Sequence, residues 1–234
     1  MALRDNKIAT IYYKWLSKVS LALFGPKILK ALNEMIFWSF VKLKEGKLTN
    51  HHYEEFFTSF FDLSKEDYKN KTVLDIGCGP RGSLEWADNV KRRVGLDPLA
   101  KKYIKMEGRN HDMEYIQSGA EQIPFDSGYF DIVTSLNSLD HVDDLKDCIK
   151  EIKRVVVPGG FFLMISDIHT YPTLTEPSNF EWDIVESFLP EFSIEFEKHF
   201  EGSNMYKSLR ENVKYDHSNK TDRYGILALK LKRN

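Results

Sequence analysis

"VLDIGCGPRGSLEW", Val73 to Trp86, decides the fold of this chain, because an apolar run ends there in three closely spaced glycines and an arginine. Thr72 to Ile76 reads as a buried strand. Gly77, Gly79 and Gly82 then form a G-x-G-x-x-G, which turns the backbone sharply and leaves no Cβ in the way of a ligand. A glycine loop at the carboxyl end of a strand, opening a helix, lies where an α/β sheet binds its ligands. Alone the pattern is a weak signal. Asp97 strengthens it, since it ends the next apolar run 18 residues after Gly79, where a carboxylate can accept both hydroxyls of a ribose.

Outward from this loop, the runs "TVLDI", "RVGLD", "MEYIQ", "FDIVTSL" and "GFFLMIS" alternate with helical patterns. In "DDLKDCIKEIKRVV", Leu145, Ile149, Ile152 and Val156 share one face. Such alternation requires crossover connections, hence a mostly parallel sheet with helices on both faces. Pro158, Gly159 and Gly160 read as a turn into the fifth strand. After a helical "FEWDIVESFL", the runs Phe192 to Phe200 and Tyr224 to Leu231 have only a polar loop between them. They predict an antiparallel pair closing the sheet edge. Residues 1 to about 50 read as helices broken at Gly25-Pro26, with Leu29, Leu32, Ile36, Phe40 and Leu43 on one face. A short aromatic helix follows at His51 to Phe61, whose Tyr53, Phe56, Phe57 and Phe60 pack inward.

Composition bounds the function. The chain has 234 residues, 42% hydrophobic and 29% charged, with a net charge of -2, so no global field recruits nucleic acid. The first 48 residues carry nine lysines and arginines against Asp5, Glu34 and Glu45, a balance of +6 that leaves the remainder at -8. That asymmetry fits a solvated helical face, a membrane surface or an acidic partner. Val19 to Gly25 and Met35 to Val41 fall short of the about 18 apolar residues that a span needs. No secretory leader pattern is present, and Cys78 and Cys148 form no disulfide framework, so the expected location is cytoplasmic. His51 and His52 lack a third ligand at metal spacing, and no metal is expected.

Ribose binding is shared by nicotinamide enzymes and S-adenosylmethionine enzymes, and the rest of the chain chooses. "VLDIGCG", "GLDP", "GAEQIPFDSGYFDIVTSLNSLDHVDD" and "EIKRVVVPGGFFLM", in that order, resemble the motif series of class I S-adenosylmethionine-dependent methyltransferases, over about Lys71 to Ser166. The resemblance implies a Rossmann-like α/β fold of seven strands, the last inserted antiparallel. It implies a methyltransferase domain over residues 63-234 and an N-terminal helical cap or lid over 1-62. It assigns Asp75, Gly77 and Gly79 to the methionine end of S-adenosylmethionine and Asp97 to the ribose hydroxyls. Leu99 would lie on the adenine face, Ala120 and Glu121 at the adenine edge, Asn137 beside the methionine moiety, and Tyr53 near its carboxylate. Where the family commonly carries an aspartate that accepts the adenine amino group, this chain has Gly119, and Gln117, Ser118 or water would substitute.

Methyl transfer from a sulfonium is an in-line displacement that needs alignment and, for some acceptors, a base. Asp140 and His141 follow the fourth strand and His169 and Tyr171 the fifth, so His169, Asp140 and His141 are the catalytic candidates and Tyr171 a substrate contact. His169 stands in the long proline-broken stretch "SDIHTYPTLTEP", the kind of loop that carries function. Arg81 either pairs with Glu85 one turn on in the helix that follows the glycines or holds an anion of acceptor or cofactor. The expected activity is O-methylation of a small polar acceptor, a sugar or a nucleotide-activated or phosphorylated precursor, as in bacterial surface-polysaccharide tailoring. RNA or protein methylation through the basic N-terminus, and cofactor binding without turnover, are the alternatives.

Overall fold

The computed structural model of the protein describes residues 7-169, 171, 181-202 and 204-234. Two compact units divide between Lys47 and Leu48, ahead of the expected 62/63 boundary. The first unit contains α1 (Lys7–Glu45), two helical stretches joined at Gly25, whose φ of 72° and ψ of 161° interrupt the helix where the Gly-Pro pair predicts a break.

The second unit opens with α2 (Tyr53–Phe57) and 3-10 turns at Ser59–Phe61 and Lys65–Tyr68. Then come β1 (Thr72–Ile76), β2 (Arg92–Leu96), α3 (Ala100–Met106), β3 (Glu114–Ile116), β4 (Phe130–Leu136), α4 (Leu145–Val155) and β5 (Val156–Ile168). β6 (Phe192–Glu201), α5 (Met205–Arg210) and β7 (Gly225–Arg233) complete it. The seven strands lie in the order β3-β2-β1-β4-β5-β7-β6. All pairings from β3 to β5 are parallel, and β7 is inserted antiparallel between β5 and β6. The expected topology therefore holds, with β6 as the outer edge.

Both sheet faces are covered. Leu74, Ile76, Val133, Phe162 and Leu229 pack with Ile149, Ile152 and Val155 of α4, while Val73, Ile132, Leu163 and Ala228 pack with Tyr53, Phe56 and Phe57 of α2. Lys230, 9% exposed, donates through Nζ to the Phe61 carbonyl at 2.8 Å, tying the segment before the sheet to its last strand.

Four local expectations change. No helix follows the glycine loop: residues 77-91 are turns, closed by Glu85 N–H to Gly82 O (3.1 Å) and Ala87 N–H to Leu84 O (3.1 Å). Val156 belongs to β5 and pairs with Phe130, so α4 runs straight into the strand. Pro158-Gly159-Gly160 then forms an irregularity within β5, with Gly159 at φ 78°. The "FEWDIVESFL" stretch is a 3-10 helix, Trp182–Phe188, rather than a longer regular one.

Candidate active site

The carboxyl ends of β1, β2 and β4 bring most of the expected residues together. Gly77, Gly79 and Gly82 all have positive φ (69°, 58° and 72°), a conformation that L side chains rarely adopt. A Cβ on Gly77 would also sit 2.2 Å from that of Ser138, so the loop after β1 and the loop after β4 touch there. Ser138 Oγ donates to the Ile76 carbonyl at 2.7 Å and fixes that approach.

Asp75 is buried, its carboxylate accepting hydrogen bonds from Thr134 Oγ1 at 2.7 Å and from Ser83 Oγ. Burial pushes its pKa up to about 7, against the two hydroxyls, which favour the charged form; the neighbouring Asp97 raises it further. Asp97, at the end of β2, accepts from Leu99 N–H (2.8 Å) and Gly79 N–H (3.4 Å). Backbone amides thus hold this carboxylate at the mouth of the glycine loop. Cys78 packs beneath the loop, where a Cβ on Gly95 would meet its Sγ at 2.6 Å, and burial pushes its thiol well up.

Asn137, just past β4, has a φ of 50°, donates its N–H to the Ile165 carbonyl (2.7 Å), and accepts at Oδ1 from Asp167 N–H (3.4 Å). Asparagine adopts this left-handed region more readily than most residues, which suits it to the turn that ends β4. Ala120 is buried beside Glu121, whose Oε1 accepts from Asp143 N–H (2.9 Å) and Asp144 N–H (3.3 Å). The other oxygen, Oε2, lies 2.3 Å from where a Cβ on Gly119 would stand. A carboxylate therefore occupies the space next to position 119 although that residue has no side chain.

Asp140 is fully buried, its Oδ2 3.7 Å from Nε2 of His141 and its Oδ1 3.5 Å from Ser166 Oγ. His141 is partly exposed. His169 is only 4% exposed; its Nδ1 donates to the Tyr171 carbonyl at 2.9 Å, and its ring lies 5.5 Å from that of Tyr224. Tyr171 is exposed. Most of the stretch after His169 falls outside the described residues, as do Arg4 and Asp5.

Arg81 donates from Nη1 to the Thr49 carbonyl at 2.7 Å. Glu85 accepts Asp112 N–H at 3.0 Å and Met113 N–H at 2.8 Å. The expected helical Arg81–Glu85 pair presumes a turn of helix that residues 81-85 do not form. Tyr53 is buried, and its pKa is raised well above the usual value, first by burial and then by Tyr206 and Asp75, while Arg81 lowers it. Tyr206, on α5, carries no sequence signal, yet its ring meets His52 (5.3 Å) and Phe56 (5.1 Å) beside Tyr53.

A separate cavity of ≈ 710 Å³ is lined in part by Arg92, Gln117, Ser118, Phe125, Tyr129 and Arg154; of the residues expected near the cofactor it holds Gln117 and Ser118, the substitutes for the adenine contact. Its arginines are engaged: Arg92 by Glu114 and Tyr129, Arg154 by Glu151 and two backbone carbonyls.

A family model described as a methyltransferase domain matches residues 74-164. Over those residues the chain is similar to a methyltransferase domain. Its fold is that of class I S-adenosylmethionine-dependent methyltransferases: a solved S-adenosylmethionine dependent methyltransferase from Mesorhizobium loti superposes with a TM-score of 0.57 at 14% identity, over 74% of this chain and 100% of that one. Two malonyl-[acyl-carrier protein] O-methyltransferases are similar in sequence. The Enterobacter lignolyticus protein is 37% identical over 89 residues, 38% of this chain and 36% of that protein. The Salmonella typhimurium protein is 32% identical over 135 residues, 53% and 51%. The chain thus spans about a third to a half of the length of these curated relatives. The methyltransferase domain match covers β1 through most of β5, the stretch that holds Asp75, Asp97, Glu121 and Asn137.

Proposed function

We propose that this protein is an S-adenosylmethionine-dependent methyltransferase acting on an oxygen of a small polar acceptor. The observation that carries this reading is the placement of Asp97, held by the Gly79 and Leu99 amides at the mouth of a loop whose three glycines are all left-handed. When bound, S-adenosylmethionine supplies an electrophilic methyl group. Asp97 accepts the ribose hydroxyls, Leu99 lies against the adenine, and Asp75, Gly77, Gly79, Asn137 and Tyr53 enclose the methionine end. Ala120 lines the adenine edge. Glu121 Oε2, in the space beside Gly119, serves as the acceptor for the adenine amino group, a role expected of Gln117, Ser118 or water from the sequence.

For proton removal we favour His141 over His169. His141 is partly open and has the buried Asp140 carboxylate 3.7 Å from its Nε2, close enough to orient the ring, whereas His169 is enclosed. Arg81 holds an anionic group of acceptor or cofactor, and Tyr171 contacts the acceptor. Oxygen as the acceptor atom is supported by the O-methyltransferase relatives; a sugar or phosphorylated acceptor remains our choice of class. Calorimetry with S-adenosylhomocysteine and with NAD tests the cofactor: we expect binding of the former alone, lost in Asp97→Ala, and binding of NAD alone would overturn the reading. Labelled-methyl transfer into metabolite, RNA and protein fractions tests the acceptor class.

A further inference from the structure

In α1, Ile28, Leu32, Ile36, Phe40 and Leu43 recur every three or four residues, and with Phe37 at the margin they are 45% to 83% exposed. A helix in water normally turns such a stripe inward. Here Ala31, Met35 and Val41 on the other side are half-buried, as is Trp38, which donates from Nε1 to Glu34 Oε1 at 2.6 Å. The apolar stripe is thus the more exposed side of α1.

The surroundings of the stripe are basic. Lys27, Lys30, Lys42, Lys44 and Lys47 stand against Glu34 and Glu45, a balance of +3 within this segment. No described helix is long and apolar enough to cross a membrane. An exposed apolar stripe with phenylalanines on a helix that also carries an excess of lysines is the pattern of a helix that lies in the plane of a lipid interface. A second copy of this chain would bring two such positive segments together, whereas an anionic surface complements them.

We propose that the exposed apolar stripe of α1 docks the protein on an anionic lipid surface, with its six apolar side chains in the headgroup boundary and the lysines against lipid phosphates. The inference rests on α1 alone and does not depend on the cofactor or acceptor.

The test is co-sedimentation of the full chain with phosphatidylcholine vesicles and with vesicles containing about one third phosphatidylglycerol. Partition should be at least about tenfold stronger on the anionic vesicles and weaken as salt shortens the Debye length. Ile36→Asp/Phe40→Asp should lose about tenfold or more, and Lys44→Glu/Lys47→Glu should lose the preference for anionic lipid, since each lysine near the surface contributes about fivefold. Phe40→Leu, which keeps the apolar face, should bind like wild type. Helical content by circular dichroism serves as the folding control for each variant. Absence of partition on anionic vesicles, or wild-type partition by Ile36→Asp/Phe40→Asp, overturns the proposal. So does a wild-type dimer that the aspartates dissociate, which would make a second copy the occupant. Loss of S-adenosylhomocysteine affinity in Ile36→Asp/Phe40→Asp without loss of vesicle binding also overturns it, assigning the face to a lid.

Discussion

Asp75 illustrates how one residue can serve a site at a cost to the fold. Its carboxyl has an ordinary pKa near about 3.9 in an unfolded chain, and burial holds it up to about 7 in the folded one. Between those values the folded state keeps a proton that the unfolded state releases, so this group's contribution to stability falls as pH rises from about 4 to 7 and is level above. Urea unfolding of the wild type should therefore show a decline on the order of a few kcal/mol across that window from Asp75, and Asp75→Asn should flatten it. Parallel pH curves for the two proteins would show that Asp75 titrates normally. A second prediction at this scale concerns His141. His141→Ala should lower kcat by about a hundredfold or more while leaving S-adenosylhomocysteine affinity within about twofold, and His169→Ala should act mainly on stability, because that ring is enclosed against Tyr224.

At the scale of elements, the glycine loop shows both what sequence carries and what it does not. Gly77→Ala meets two penalties at once, a left-handed φ and a Cβ within 2.2 Å of Ser138. We expect a loss of about 2 to 4 kcal/mol of stability and of most cofactor affinity, read by thermal unfolding and calorimetry. Gly77→Ala/Ser138→Gly should recover only the steric part. The strands around the loop were legible because "TVLDI" and "FDIVTSL" are short runs rich in apolar and β-branched residues, and each became a strand with the expected ends. The missing helix after Gly82 was not. Residues 82-84, 86 and 87 are all buried, without helical periodicity, and Glu85 turns to the amides of Asp112 and Met113. Those partners lie more than 25 residues away, so no local pattern announces them. Tyr206 escaped for the same reason: only the tertiary fold brings α5 beside α2.

At the scale of the molecule, the boundary between units decides which residues fold together. Sequence texture placed the change near the first strand, because alternation of strands and helices begins there. Packing places it earlier: Phe56, Phe57 and Phe61 are buried on one sheet face, and Lys230 reaches back to the Phe61 carbonyl. Segment 48-61 is therefore part of the sheet's core. A chain beginning at Leu48 should unfold in one cooperative urea transition and keep S-adenosylhomocysteine affinity within about tenfold, since every residue assigned to the cofactor, Tyr53 included, lies in 48-234. A chain beginning at Leu63 loses four buried aromatic rings, those of Tyr53, Phe56, Phe57 and Phe61, and the acceptor of the Lys230 ammonium, and should be destabilised by well over about 5 kcal/mol. If instead the Leu63 chain unfolds cooperatively with wild-type midpoint, the aromatic segment is an accessory to the sheet and not one of its layers.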